Sequence, residues 1–202
     1  MIQMNRRPKK RNLKTTEKIL IICEGETEEY YIKNLLKEFK LLTNNVNFHT
    51  LKGGSYQGAE NYLKKNSQVI NIALFIMDLD RCTSVQNEKK KLKSLIKTLE
   101  KINIKNNIFL TYNNFENWVA ASINKNINEL TGLHYKKGNG VFKFITQNEG
   151  SFYNGKKYFK NKKLYYEKKE FKKGVYNENF IKSEQSSLYY FLEYMELLLS
   201  KS

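Results

Sequence analysis

The chain has 202 residues, 40% of them apolar, with 36 Lys plus Arg against 20 Asp plus Glu and a formal net charge of +16. That length holds one domain, or one domain with an insertion, and the charge favours a polyanionic partner, nucleic acid first, although a chain rich in Lys, Asn and Ile is also what A/T-rich coding produces. No apolar run approaches the about 18–20 residues that span a bilayer, and two cysteines with no CxxC pair beside two histidines argue against a zinc site.

The opening MIQMNRRPKKRNLK is basic and polar and lacks the apolar centre of a signal peptide, so residues 1–17 are expected to form a flexible arm. Residues 18–23, KILIIC, are a continuous apolar run with β-branched side chains, the pattern of a strand buried on both faces. Cys23 inside it reads as a small hydrophobe, and the free thiols suit a reducing, cytoplasmic compartment. EGETEE then leads into a helix, with Thr27 as its cap, Glu28 and Glu29 at its positive end, and Tyr31, Leu35, Phe39 and Leu42 at helical spacing. VNFHTL, residues 46–51, alternates and closes on KGGS as a second strand, and residues 59–67 read as a short helix.

IALFIM, residues 72–77, is another fully buried strand and runs into DLD. A lysine-rich helix follows, with Leu92, Leu95, Ile96 and Leu99 on one face; NIFLTY, residues 107–112, is a fourth strand; NNFENWVAASI, residues 113–123, begins the next helix, where Trp118 lies three residues from Phe115 and packs in the core. Four strands alternating with helices predict an α/β fold, a mostly parallel Rossmann-like sheet flanked by helices over residues 18–130.

Beyond about residue 130 the periodicity is lost, and residues 131–202 read as an extension on or beside that domain. Residues 150–174 hold nine lysines and seven aromatics. They are either a hairpin whose aromatic face covers the core or a surface where Tyr153, Tyr158, Tyr165 and Tyr166 stack on unpaired bases between contacts from Lys156 and Lys157. Residues 186–199 form a final helix whose Leu188, Leu192, Met195 and Leu199 face the core or a partner subunit, as in a homodimer.

In a parallel sheet all strands end on one edge, and ligands bind just outside it. Glu24 follows the first strand, Asp78 and Asp80 the third, and Glu116 the fourth, while Glu28 leans back from the first helical turn. Five carboxylates from three chain segments thus meet on one rim, where they repel unless a cation lies between them. Mg²⁺ or Mn²⁺ is the cofactor that such hard oxygen donors suit, and two such ions can share the hydrolysis of a phosphodiester. Each acid also has an ordinary reading: Glu26 is solvated, Glu29 serves the helix dipole, Asp80 pairs with Arg81, and Glu116 is a first-turn glutamate. Lys52 with Gly53 and Gly54 either offers backbone N–H groups to phosphate or makes a plain turn. Lys136, Lys137 and Arg81 are the further candidates for phosphate contact.

A glutamate after the first strand and a DxD after a later one resemble the Toprim signature, and EGETE is similar to the EGxTE form of the nuclease branch that includes the OLD-family proteins. The order RRPKKR, ILIICEGETEE, MDLDR, NNFENWV, with HYKKGNGVF after it, resembles the RloB-like family of small Toprim proteins over residues 6–145. That resemblance implies a Toprim fold and a Mg²⁺-dependent nuclease of anti-phage defence acting on DNA or RNA, including tRNA. Glu24 would be the catalytic acid or base or a metal ligand, Asp78 and Asp80 metal ligands, and Glu28 and Glu116 holders of a second ion. It also implies an ATPase partner. The alternative is a non-catalytic nucleic-acid-binding or assembly subunit of a defence complex.

Overall fold

The computed structural model describes residues 17–79, 82, 84–112, 114–122 and 186–200. Four strands, β1 (Ile19–Cys23), β2 (Val46–Thr50), β3 (Ile72–Asp78) and β4 (Lys105–Thr111), form one all-parallel sheet in the order β2-β1-β3-β4. Helices α1 (Glu26–Glu38), α2 (Ser55–Asn66) and α3 (Gln86–Lys101) make the crossovers, and α4 (Phe115–Ser122) follows β4. The α/β architecture expected from the strand–helix alternation is therefore the one the chain adopts.

Burial explains the strands. Ile21, Ile22 and Cys23 of β1 and Leu74, Phe75 and Ile76 of β3 are wholly inaccessible. Both central strands are covered on each face, which is why they read as unbroken apolar runs rather than as alternating ones. Each of these large side chains contributes about 1.5–3 kcal/mol by leaving water. Helical crossovers between parallel strands supply that cover on both faces.

Strand β1 lies in the middle because the chain first moves to one side of it, to β2, and then crosses to the other, to β3 and β4. Right-handed crossovers then place α1 on one face and α2 and α3 on the other. Tyr31 of α1 meets Phe115 and Trp118 of α4 edge-to-face at 5.4 and 5.6 Å, so α1 and α4 share a layer. Trp118 is 2% exposed, the core residue its spacing indicated. On the opposite face, Thr98 of α3 donates to Glu60 of α2 at 2.9 Å, tying those two helices together.

Two element boundaries differ from the sequence reading. Helix α2 starts at Ser55 with Gly54 as its N-cap, four residues before the apolar periodicity begins. The residues at the other end of the chain, 186–199, do not form one continuous helix. Ser187 donates its N–H to Leu110 O (2.8 Å), and its hydroxyl accepts Leu110 N–H (2.9 Å). The Ser186 hydroxyl accepts Tyr112 N–H at 2.8 Å. A 3-10 turn (Leu188–Tyr190) then leads into α5 (Phe191–Ser200). The reason is the edge of β4, which no further strand covers among the described residues and whose N–H groups take serine hydroxyls as acceptors in place of helical bonds. Leu188, Leu192 and Met195 are buried in the chain's own core, with Phe191 and Tyr194 edge-on to Phe109 of β4 at 5.3 and 5.8 Å.

Neither Cys23 nor Cys82 is in a disulfide, and both are buried. Among the described residues no helix is long and apolar enough to cross a membrane. The arm expected over residues 1–17 lies, but for Glu17, outside the described residues, as does the lysine- and aromatic-rich stretch 150–174.

Candidate active site at the carboxyl edge of the sheet

The order β2-β1-β3-β4 reverses direction between β1 and β3. At such a switch point the crossovers leave in opposite directions and a crevice opens beyond the strand ends. Glu24 is the first residue after β1 and Asp78 is the last of β3. They stand side by side at this edge: Glu24 Oε2 accepts the backbone N–H of Asp78 at 3.1 Å, and Glu24 N–H donates to Ile76 O at 3.2 Å. Two acids far apart in sequence are thus joined by one hydrogen bond because their strands are neighbours in register, Cys23 opposite Ile76.

Asp78 is further fixed from two sides. The Thr111 hydroxyl, at the end of β4 and paired in register with Asp78, donates to its Oδ1 at 2.6 Å. The Tyr56 hydroxyl, from the first turn of α2, donates to the Asp78 carbonyl oxygen. Thr111 and Tyr56 are 0% and 4% exposed, so both act from inside the protein. Neither was among the sequence candidates. The signal for Thr111 was its place at the end of the fourth strand, which parallel register puts beside the end of the third. Tyr56 was hidden by the late start expected for α2.

Glu28 lies deepest, 5% exposed. Helix α1 begins at Glu26 with Gly25 as its N-cap, so Thr27 is not the cap. Glu28 occupies the third helical position, from which a glutamate reaches back to the cap residue, and the backbone N–H groups of Glu28 and Gly25 both favour its charged form. Its carboxylate lies so close over Gly25 that a Cβ there would stand 2.8 Å from Glu28 Oε2. The glycine of EGETE therefore makes room for the second glutamate of the site. Burial nevertheless dominates, and with the neighbouring charges of Glu116 and Glu24 it pushes the Glu28 carboxyl up to about 8. Asp78 is likewise held well above the usual carboxylate range, by burial first and then by Glu28 and Glu24, against the lowering effect of Thr111; Glu116 adds to the rise. Glu116 itself is partly buried in the first turn of α4.

Four of the five sequence-derived acids therefore act on one another at a single rim. The fifth, Asp80, lies outside the described residues, as do Arg81, Lys136, Lys137, Lys156 and Lys157. Among the described residues no three His, Cys, Asp or Glu side chains stand close enough to hold a metal ion as they are. The chemistry of the set still fits a hard divalent cation: the leading charges on Glu28 and Asp78 are other carboxylates, and a cation among them would relieve that repulsion.

The ordinary readings separate by residue. Glu26 is exposed, as expected. Glu29 does more than complement the helix dipole: it accepts the Thr50 hydroxyl and, at 3.1 Å, the Lys33 ammonium, fastening α1 to the end of β2. These partners outweigh its partial burial and hold its carboxyl below the ordinary value. The turn at Lys52 spends two of its N–H groups within the protein. Lys52 and Gly53 take positive φ of 50° and 83°, Gly53 N–H is spent on Glu24 O at 3.3 Å and Gly54 N–H on Leu51 O at 3.0 Å. Those two N–H groups are not available to phosphate; they brace the backbone of Glu24 instead. Lys52 itself remains exposed.

The chain was compared with protein-family models, curated proteins and solved structures, and none of them matches it.

Proposed function

We propose that this chain is a divalent-metal-dependent nuclease that hydrolyses phosphodiester bonds at the β1–β3 switch point. The observation that carries the reading is the meeting there of Glu24, Glu28, Asp78 and Glu116, mutually repelling and partly desolvated, in a chain of net charge +16. Burying like charges together costs folding free energy, and a site that holds a cation recovers it on binding. Glu24 and Asp78 are the residues to hold Mg²⁺ or Mn²⁺, with Glu28 and Glu116 beside them and Asp80 added on the resemblance to Toprim proteins. A bound ion supplies Lewis-acid polarisation of the phosphate and a water of lowered pKa. The protein's own contribution is orientation: Thr111 and Tyr56 hold Asp78, and the Asp78 N–H holds Glu24. The resemblance of the order RRPKKR, ILIICEGETEE, MDLDR, NNFENWV to the RloB-like family supports a role in anti-phage defence and an ATPase partner that restrains or triggers cutting.

The test has two readouts. Purified protein with Mg²⁺ or Mn²⁺ is expected to cut duplex DNA, single strands or tRNA, and EDTA, Glu24→Gln or Asp78→Asn is expected to stop it. Millimolar Mn²⁺ is also expected to raise the melting temperature of the wild type and not of Glu24→Gln/Asp78→Asn, which reports the ion even where a partner must license cleavage. Undiminished cutting by the double variant, or tight nucleic-acid binding with neither cutting nor a metal-induced shift, sinks the reading.

A further inference from the structure

The helices divide by charge between the two faces of the sheet. The layer of α2 and α3 holds eight lysines and three glutamates, whereas that of α1 and α4 holds two lysines and five glutamates. Within the basic layer, Leu92, Leu95 and Leu99 of α3 are 0%, 0% and 4% exposed, which fixes the helix rotation. Lys90, Lys93, Lys97 and Lys101 then fall on the opposite side, within an arc of about 80° and along about 16 Å of axis. Lys90, Lys97 and Lys101 are exposed and Lys93 partly so. Among the described residues Lys90, Lys97 and Lys101 form no ion pair; the helix's own acid Glu88 is taken by Lys91 at 2.8 Å, and Glu100 stands on the flank of the row. Lys65 of α2 adds a further exposed cation on the same face, and Thr98–Glu60 locks α2 against α3 so that the layer is one surface.

We infer that this lysine row on α3 is a binding track for the sugar–phosphate backbone of nucleic acid, leading to the carboxylate rim. The inference rests on the nucleic-acid half of the reading above and adds the surface that would hold the substrate. A row of like charges held at steps of about 4.5–6 Å along a rigid helix complements a linear polyanion, and its desolvation cost is low because the ammonium groups remain on flexible stems in water. Helix α3 starts beyond the end of β3, so the Lys90 end of the track is the end nearest Glu24 and Asp78. An anionic membrane fits less well. The large apolar side chains exposed among the described residues are Val69 and Leu197, neither of them on α2 or α3, so this face has nothing to insert into lipid.

The experiment measures fluorescence anisotropy of labelled DNA and RNA, duplex and single-stranded, against KCl concentration. EDTA is present and the full chain carries Glu24→Gln, so that cleavage plays no part. K90Q/K97Q/K101Q is expected to reduce the slope of log K against log[KCl] by about 2.7 for duplex or about 2.1 for single strands, as the loss of three phosphate contacts requires. The charge-matched control K18Q/K37Q/K40Q, at exposed lysines outside this layer, is expected to change it by less than about one. Equal losses in the two triples, an unchanged slope in the first, or no binding by the parent overturns the track. So does binding to phosphatidylserine vesicles that the first triple loses while its nucleic-acid slope stays put. Failure of metal-dependent cutting leaves the slope result standing, so the two readings fail separately.

Discussion

Replacing Glu28 by Gln removes an ionisable group whose charged form the fold disfavours, and the cost follows from its position. The carboxyl titrates at about 8 in the folded protein against an ordinary 4.5. Below the lower value both states are protonated and the group has no effect on stability. As pH rises toward the upper value the unfolded chain loses its proton while the folded chain keeps it, so stability falls. The loss reaches about 3 kcal/mol at pH 7 and levels off at about 5 kcal/mol above pH 8. Glutamine keeps an oxygen for the Gly25 and Glu28 N–H groups and carries no charge, so Glu28→Gln should melt above the wild type at pH 7. For a chain of this size the gain is about 6–12 °C. The assay is thermal unfolding in EDTA between pH 5 and pH 9, followed by fluorescence of the single tryptophan, which is buried at position 118. The offset between variant and wild type should be small at pH 5, about 1 kcal/mol, and should grow with pH until it levels off above pH 8. An offset that is independent of pH, or a variant that melts below the wild type at pH 8, refutes the reasoning, because then burial among carboxylates is not what Glu28 experiences.

Two further substitutions probe how the site is built. Gly25→Ala places a methyl group against Glu28 Oε2 although the backbone at φ −134° admits any residue. It should cost about 1–2 kcal/mol in the wild type and nearly nothing in a Glu28→Ala background, a coupling that a double-mutant cycle in urea measures directly. Thr111→Val keeps the shape of the side chain and removes the hydroxyl bonded to Asp78; it should cost about 1.5–3 kcal/mol in urea unfolding, with Thr111→Ser restoring most of it.

Much of this fold was legible because burial on two faces leaves an unbroken apolar run, and KILIIC and IALFIM carry that pattern plainly. The rim acids were legible for a related reason: a parallel sheet ends all its strands on one edge, so a carboxylate directly after a buried run must lie there. Thr27 misled as a cap because capping depends on where backbone torsions turn helical, and Gly25 took that place. Ser186 and Ser187 resembled the start of a helix because nothing in their own neighbourhood announces the open edge of β4.

The sequence by itself determined which residues are buried and which strand ends bear acids, since hydrophobic periodicity and chain direction are local properties. Strand order decided the rest. With β1 between β2 and β3, Glu24 meets the Asp78 N–H, and parallel register sets Thr111 beside Asp78. The same crossovers put α2 and α3 on one face, turning scattered lysines into a one-sided cationic layer. These are contacts between distant segments, set by register and by the handedness of the connections, and no window of the sequence contains them.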